Sequence, residues 1–475
     1  MNCMKTMSKY ILLISAVLTF TSCKKYLDVN TNPNAATKPP LNGLLTRVTQ
    51  STALNAFRVS NITSYYVQYL ASPNPASPTD TYEPIDASST WTFLYDNMTD
   101  IYDLEKLAIE LGATQYEGVA KMLMAINLMY VHDLWGDAPF SQAFEGTNLA
   151  PGYDGAQTLY QKIMELLDAG IALVQAPGSK VTMPTTGANL PDLIHKGSTA
   201  AWVRTGNALK ARMLNRLSKT PQYNAASILA ATSAAYTAVG QDAAITTFAV
   251  RNPWNQVAIN NIGLLLDGWL SEYFVDAMDG TTFGIFDPRL RRMTDTTKFG
   301  DYRGTRNGKG RVGSGTQKEE SYVNTTGYYS SSNSPLFIIM YEEVKFIEAE
   351  AAFRSNDRPR AYAAYLEGIR ANMNRLGVSA TDRDAYVNHP SVSVGEANLT
   401  LNLIFKEKYK ALYLNPETWN DARRFNYQYQ GFQLPLNVVV PTYIRRLVYP
   451  SVEISRNGAN APKISDVTSR FWWDQ

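Results

Sequence analysis

The cysteine at position 23 is the residue whose surroundings point most directly to chemistry. Cys23 ends the stretch LTFTSC, after an apolar run over 10–20 that is preceded by two lysines. A positive start, a short apolar run and small residues before a cut are typical of a secretory signal. Cys23 would be the only cysteine left after cleavage and would have no disulfide partner. The pattern predicts a signal peptide over 1–22 and a lipid on Cys23, and the alternative is an ordinary secretory signal.

Motifs for metal, cofactor or catalytic chemistry are weak. His132, His195 and His389 lie far apart, and no metal-ligand spacing surrounds them. The GxGxxG match over 308–313 follows a polar stretch and opens no helix, which favours a basic loop over a dinucleotide site. Paired carboxylates remain open as an alternative, because nothing singles out two of the 42 acids. The sequence therefore predicts a protein without metal or cofactor, and it disfavours an enzyme.

Charge argues against nucleic acid as a partner. Residues 1–22 hold two lysines and no acids, so the remaining chain has 42 Lys+Arg (44 minus 2) against 42 Asp+Glu. A polyanion-binding protein needs a basic excess. The basic residues over 289–311 are interleaved with aromatics, but in an exported neutral protein we interpret them as a solvated loop.

Aromatic residues are the compositional feature most relevant to binding, with 29 Tyr and 8 Trp. Their flat apolar faces and polar handles suit stacking against sugar rings as well as packing in a core. For each aromatic in a loop, a ring that packs its own loop is the alternative. The candidates for ligand binding lie in predicted loops: Tyr82, Trp254, Tyr302, Tyr322, Tyr328 and Tyr329.

Apolar residues at three- and four-residue spacings predict a mainly α-helical chain built from helix pairs. The first clear helix spans 91–111, and a short turn joins it to 116–134. The pair 340–354 and 360–376 carries alanines that would let the two axes approach closely, as in tetratricopeptide-type hairpins, although no 34-residue period is present. The other predicted helices span about 157–174, 199–218, 225–238, 264–277, 399–414 and 416–425.

The predicted domain organisation is a single domain over 23–475. A helical scaffold spans about 41–278 and 336–425, and a Gly-, Ser- and Thr-rich insertion without sustained period covers about 279–335. A loop of that length inside a compact chain tends to be functional. The final stretch, 426–475, is predicted to wrap the helical body, since leaving its Phe471-Trp472-Trp473 in water would be costly.

Several stretches in order resemble the SusD/RagB family of Bacteroidetes outer-membrane lipoproteins, and its SusD-like branch in particular. The first is the opening at Cys23, with Asn32-Pro33-Asn34. Further similar stretches are WGDAPF over 135–140, DPRL over 287–290, YEEVKFIEAEAAFR over 341–354, KEKYKALY over 406–413, ETWNDARR over 417–424 and RRLVYP over 445–450.

The resemblance implies a SusD-like α-α superhelix of tetratricopeptide-like helix pairs whose long irregular loops bind a ligand. It implies a non-enzymatic protein, lipid-anchored at the cell outer membrane, that captures glycans and passes them to a SusC-like TonB-dependent transporter for import. Two alternatives stay open, a peptide-capturing lid and a structural partner of the transporter without glycan affinity. Surface exposure is expected, although Asp28 is the only acidic residue near the predicted lipid site.

Overall fold

The structure is a computed structural model that describes residues 39–262, 268–314 and 318–475. The predicted signal peptide and Cys23 lie outside these residues. Within them the chain is mainly α-helical, which confirms the predicted fold class. No helix of the described part has the length and apolar character needed to cross a bilayer.

Fourteen α-helices follow one another in the described residues. The first seven are α1 (Leu41–Tyr66), α2 (Ser88–Leu111), α3 (Thr114–Trp135), α4 (Ala156–Gln175), α5 (Thr199–Arg216), α6 (Ala225–Ser233) and α7 (Pro253–Ile262). The remaining seven are α8 (Glu272–Asp279), α9 (Tyr341–Arg354), α10 (Arg358–Arg375), α11 (Ala380–Val387), α12 (Leu401–Ala411), α13 (Glu417–Arg424) and α14 (Ser451–Asn457).

Four short strands join distant parts of the described chain into two antiparallel ribbons. Strand β1 (Leu70–Ala71) pairs with β3 (Trp269–Leu270), so that Leu70 lies opposite Leu270. Strand β2 (Ala243–Ile245) pairs with β4 (Leu336–Ile339) through a register shift after Ala243. The ribbons hold both ends of the long insertion against the scaffold.

The helices from α1 to α6 pack in sequence, each against the next, and α9 packs against α10. Small residues set the closest approach between α3 and α4. A Cβ on Gly118 would lie 2.8 Å from the carbonyl oxygen of Gly170 on the facing helix. Alanines do the same between α9 and α10, where Ala349, Ala352 and Ala361 are fully buried in one cluster. The α9–α10 contact is that of one predicted helix pair, and α2 and α3, which form the other predicted pair, also pack against each other.

Two features of the scaffold differ from the sequence-based prediction. Helix α1 was not predicted, because buried polar residues obscure its apolar stripe. Thr52 and Asn55 are completely buried and hydrogen-bond within the core to Asn127. The single helix predicted over 264–277 is wrong where the chain is described, since β3 occupies 269–270 and α8 begins at Glu272.

Several of the family-like motifs within the described residues are structural anchors. The Trp135 indole donates to the carbonyl oxygen of Val448, 3.0 Å away, which joins α3 to the C-terminal stretch. Arg289 is fully buried and pairs with Asp287 and Glu407, each at 2.6 Å. A buried pair of this kind is costly to break once formed. It fixes the start of the insertion against α12.

The C-terminal stretch lies along the helical body. Trp473 is fully buried, and Arg445 pairs with Asp474 at 2.5 Å. One hydrophobic cluster contains residues from Leu41 to Trp473. Because the core runs through both ends of the described chain, we propose that 23–475 forms one domain.

Candidate functional site

Three loops converge on one face of the molecule and form what we call the loop junction, made of residues 68–86, 300–314 and 428–442. Backbone hydrogen bonds join all three. The backbone amide of Arg311 donates to the carbonyl oxygen of Pro73 at 2.9 Å. The backbone amide of Leu436 donates to the carbonyl oxygen of Asn307 at 2.9 Å. The amide of Val439 donates to Thr81 at 3.0 Å and closes the set. These loops show no hydrophobic periodicity in the sequence, and the hydrogen bonds between them hold them in place.

Asp80 lies at the centre of the loop junction and is completely buried. Its carboxylate accepts hydrogen bonds from the Asn307 side chain and from the backbone amide of Gly308, the latter at 2.6 Å. Burial nevertheless raises the pKa of Asp80 to about 6, because desolvation outweighs the hydrogen bonds that favour its ionised form. The loop junction thus contains a buried carboxyl group whose pKa lies well above its ordinary value.

Two glycines allow the backbones of the loop junction to approach closely. A Cβ on Gly304 would lie 2.4 Å from the Cα atom of Glu272. Gly308 has a φ of +79°, and a Cβ there would lie 1.8 Å from the carbonyl oxygen of Leu436. Only glycine combines this left-handed backbone with so little space.

Beside the loop junction is a cavity of about 220 Å³, which we call the polar cavity. It is smaller than the roughly 300 Å³ at which pockets for drug-sized ligands begin, so it suits one ring-sized group. Its walls come from the loop after α1, from α8 and the residue before it, from the insertion and from the C-terminal stretch. The lining residues are Gln68, Ser271, Glu272, Tyr273, Asp276, Thr282, Arg306, Asn307, Gly431, Gln433, Leu434 and Pro435.

Side chains of both charges surround the polar cavity in a connected network. Arg306 contacts the Glu272 carboxylate at 3.3 Å and donates to the Gln433 side chain at 3.1 Å. The Gln68 side chain donates to the Gln433 carbonyl oxygen at 2.6 Å, and Ser271 donates to Asn307 at 2.7 Å. The network holds donors and acceptors in fixed positions around the space.

Tyr273 and Asp276 come from one helix, α8, and contribute different chemistry. The Tyr273 ring packs edge-on against Phe432, with ring centroids 4.8 Å apart, and lines the cavity although only 8% of the residue is exposed. Burial, together with the charges of Asp279 and Glu272, raises the pKa of Asp276 to about 6. An aromatic wall with carboxylates, amides and a guanidinium around it can hold a ring that carries several hydroxyl groups.

A larger cavity of about 420 Å³ lies among α2, α3 and α4. Its walls include Met124, Phe140, Phe144 and Leu159. This cavity also holds polar contacts, such as the Lys121–Glu105 ion pair and hydrogen bonds from Ser141 to Asp154, but the scaffold and the loop after α3 build it, whereas the long insertion, which is predicted to be functional, does not. We therefore take the polar cavity as the candidate site.

The six predicted ligand-binding aromatics do not line the polar cavity. Tyr82, Trp254 and Tyr329 are buried, at 0%, 2% and 5% exposure, and their rings face protein. Tyr82 packs against Tyr66 at 5.7 Å between ring centroids, and Trp254 packs against Phe57 at 4.8 Å. Trp254 lies on α7 and not in the predicted loop, and all three rings are packed inside the protein in this conformation, as the alternative considered above expects. Stacking on a sugar needs an open ring face, so their role in binding stays a prediction.

The other three predicted aromatics are partly exposed, and each packs against a different ring. Tyr302 lies 5.9 Å from Phe286, and Tyr322 lies 6.0 Å from Trp269, measured between ring centroids. Tyr328 stands beside Tyr329 at 5.1 Å, the one adjacent pair within the set. A ligand-binding role for these three also stays a prediction.

Sequence reasoning missed the residues of the polar cavity. Glu272 and Asp276 are four residues apart on α8, and this spacing on a correctly placed helix would have put them on one face. Gln68, Arg306 and Gln433 gave no such signal, because they meet only through the tertiary fold. Within the described residues, no group of three His, Cys, Asp or Glu side chains is placed to hold a metal ion.

The fold and the site together define a class: a helix-pair scaffold that carries a ligand-sized cavity on its long loops. A family model, SusD-like_2, described as "Starch-binding associating with outer membrane", matches residues 33–450. The chain belongs to this SusD-like family, which confirms the resemblance read from its motifs. The comparison with curated proteins finds no match.

Solved structures share the fold over nearly the whole chain. A SusD/RagB family protein from Bacteroides thetaiotaomicron is 20% identical, with a TM-score of 0.75 over 92% of this chain and 99% of that chain. A chitin-binding SusD homologue from Flavobacterium johnsoniae is 19% identical, with a TM-score of 0.74 over 90% and 99%. A SusD-like protein described as Bacteroidetes AC2a is 19% identical, with a TM-score of 0.76 over 92% and 100%.

Proposed function

We propose that this protein captures carbohydrate at the outer membrane and binds it in the polar cavity. One observation carries the proposal, the convergence of Glu272, Asp276 and Arg306 with amide side chains around the ring of Tyr273. Sugars offer many hydroxyl groups that both donate and accept, together with apolar ring faces. A cavity with both kinds of partner matches them better than an apolar or a single-charge pocket would.

The family supports the same class of ligand. Its model is described as starch-binding and associated with the outer membrane. One structural relative is described as chitin-binding. Starch and chitin are both polymers of six-membered sugar rings, and a ring-sized cavity is compatible with either.

The captured glycan would be passed to a SusC-like TonB-dependent transporter, with the protein as a lid held to the membrane by a lipid on Cys23. In this role the protein binds and releases its ligand unchanged, without catalysis. A lid needs a rigid body with a ligand face built on loops, and the helix pairs and the loop junction supply both. Co-purification from outer membranes with a TonB-dependent transporter tests the partnership.

Calorimetric titration of the full chain tests the ligand class. The protein would be purified in a detergent without a sugar headgroup, which would otherwise compete for the site. Maltoheptaose, chitohexaose and a mixture of short peptides are the titrants. We expect saturable binding of at least one oligosaccharide and no turnover of it.

Two variants locate the site, and one serves as a matched control. Arg306→Gln and Asp276→Asn each remove a charge that lines the polar cavity, and each should weaken binding about tenfold or more, since a hydrogen bond to a charged group contributes about 1.5–3 kcal/mol. Asp103→Asn changes an exposed carboxylate on α2 and should leave binding unchanged. Binding of peptides with no response to either sugar would overturn the proposal, as would sugar binding that ignores both cavity variants.

A further inference from the structure

Ser271 lines the polar cavity and is also the N-cap residue of α8. A serine at an N-cap normally accepts a hydrogen bond from a backbone amide in the first turn of its helix. Within the described residues, the Ser271 side chain accepts no such bond. Its hydroxyl instead donates to the side-chain carbonyl of Asn307 at 2.7 Å. The serine therefore serves a contact in the cavity wall rather than the end of its own helix.

The side chain of Asn307 is held in one orientation by two acceptors. Its NH2 group donates to the Asp80 carboxylate and to the carbonyl oxygen of Leu70, the latter at 2.9 Å. Turning the amide over would place its oxygen against both of these acceptors. The Asn307 carbonyl therefore faces Ser271, and the Ser271 hydroxyl must be the donor in the hydrogen bond between them.

Asp80 supplies this arrangement from behind the wall of the polar cavity. Its two partners in the insertion, the Asn307 NH2 group and the backbone amide of Gly308, are both donors. A carboxyl group keeps an acceptor lone pair on each oxygen whether or not it is protonated. An amide in its place would oppose one of these donors with its own N–H groups. The position therefore suits Asp and not the isosteric Asn.

We infer that Asp80 is a positioning residue of the polar cavity, which acts through Asn307 to make Ser271 a hydrogen-bond acceptor for the ligand. We call Asp80, Asn307 and Ser271 the Asp80 relay. Because the single hydrogen of the Ser271 hydroxyl is committed to Asn307, its oxygen can only accept from a ligand. The inference rests on the proposed function and makes it more specific. The sugar must direct a hydroxyl hydrogen, and not an oxygen lone pair, toward Ser271.

A double-mutant cycle in the full chain tests the Asp80 relay, with maltoheptaose and chitohexaose as titrants. Asp80→Asn should weaken oligosaccharide binding about tenfold, because a buried donor is then opposed by another donor. Ser271→Ala removes the acceptor and should weaken binding by a similar factor. The double variant should also lose only about tenfold, because both changes remove the same contact with the ligand. Asp103→Asn, an exposed change on α2, is the control and should bind as the wild type does.

The loss in the double variant separates positioning from general support of the loops. If Asp80→Asn merely loosened the loop junction, its effect would be independent of Ser271, and the double variant would lose about a hundredfold. That result, or wild-type binding by Asp80→Asn, would overturn the inference and leave the proposed function standing. No binding of either oligosaccharide by the wild type would overturn both. Circular dichroism and the thermal midpoint establish that each variant is folded.

Asn307→Asp gives a second reading in which Asp80 itself is unchanged. The variant keeps an oxygen toward Ser271 but replaces the NH2 group with a second oxygen, which repels the Asp80 carboxylate at about pH 8. At about pH 5 a proton shared between the two carboxyl groups restores a donor toward Asp80. Relative to the wild type at the same pH, binding should be weaker by about tenfold or more at the higher pH and should recover to within about threefold at the lower one.

The wild type measured at each pH is the reference for this experiment, because the other ionisable groups around the relay are the same in both proteins. These groups lie on the loop after α1, on α8 and on the insertion, and they are Tyr82, Glu272, Asp276, Arg306, Lys309 and Glu320. A loss relative to the wild type that is equal at both pH values would mean that donation from Asn307 to Asp80 does not set the acceptor at Ser271. That outcome would overturn the inference.

Discussion

The stability of the loop junction is expected to depend on pH through Asp80. Burial raises the pKa of this carboxyl from 3.8 to about 6. Because the folded pKa lies above the unfolded one, folding favours the protonated form. The stabilising contribution is fully present below pH 3.8 and is lost as the pH rises through about 6. At neutral pH the protein carries a buried charge that the loop junction accommodates at a cost.

The size of this effect follows from the two pKa values. A difference of about 2 units, at 1.36 kcal/mol per unit, gives about 3 kcal/mol. The opening equilibrium of the loop junction should then change about a hundredfold between acidic and neutral pH. Asp80→Asn keeps the shape of the side chain but cannot ionise, so it should not show this change.

Native-state hydrogen exchange is the appropriate assay, because loops open locally before the whole chain unfolds. Segments 70–82 and 302–312 would be followed at about pH 4, 5, 6 and 7 in the wild type and in Asp80→Asn. Taking the ratio of the two proteins at each pH cancels the intrinsic pH dependence of exchange. Relative to the variant, the wild type should open progressively more as the pH rises.

A ratio that stays constant from acidic to neutral pH would refute this reasoning about Asp80. It would mean that the hydrogen bonds from Asn307 and Gly308 stabilise the charge as well as water does. Asp103→Asn, which changes an exposed carboxylate on α2, is the control and should give a flat ratio throughout. If the ratio for Asp103→Asn changed as much with pH, the pH dependence would belong to the whole fold and could not be assigned to Asp80.

Two further predictions concern the loop backbone and the membrane anchor. Gly308→Ala should destabilise the loop junction by about 1–3 kcal/mol, seen as faster exchange around Leu436, because both its left-handed backbone and the added methyl group are unfavourable. Gly284→Ala is its control, because Gly284 has a φ of +70° and no atom lies within 4 Å of the Cβ position. An equal loss of stability in Gly284→Ala would mean that backbone strain alone explains the effect at Gly308. Cys23→Ser should move the protein from the membrane pellet to the soluble fraction and abolish labelling by radioactive palmitate. Ser22→Ala keeps a small residue before the cysteine and should stay in the pellet, and a Cys23→Ser protein that also stays there would contradict the predicted anchor.

Local periodicity accounts for the part of the fold that could be read from the sequence. Helices α2, α3, α9 and α10 begin and end within about three residues of the predicted bounds. Their apolar residues recur often enough to show one face of each helix despite buried polar residues such as Asn97 and Glu350, and the alanines between α9 and α10 mark a close approach. The ordered motifs identified the family, and those within the described residues include anchors of the scaffold such as the buried Arg289.

Helix α1 shows where periodicity fails. Its buried face includes Thr49, Thr52, Asn55 and Ser60, which look like surface residues in the sequence. They can be buried because partners elsewhere satisfy them, such as Asn97, which donates to Thr52 at 3.0 Å, and Leu414, whose carbonyl oxygen accepts from Ser60 at 2.7 Å. Such partners lie on other segments and are invisible to a pattern within one segment.

The sequence by itself determined the helix pairs, the family and the kind of residue suited to a ligand, because these depend on local spacing and on residue type. Only the tertiary structure decided which residues share a cavity. Gln68 and Gln433 meet across 365 positions, and Tyr82, chosen for its loop, is fully buried. The physical reason is that aperiodic loops take their shape from long-range hydrogen bonds and close backbone contacts. Those contacts, rather than residue type, determine which side chains face a ligand.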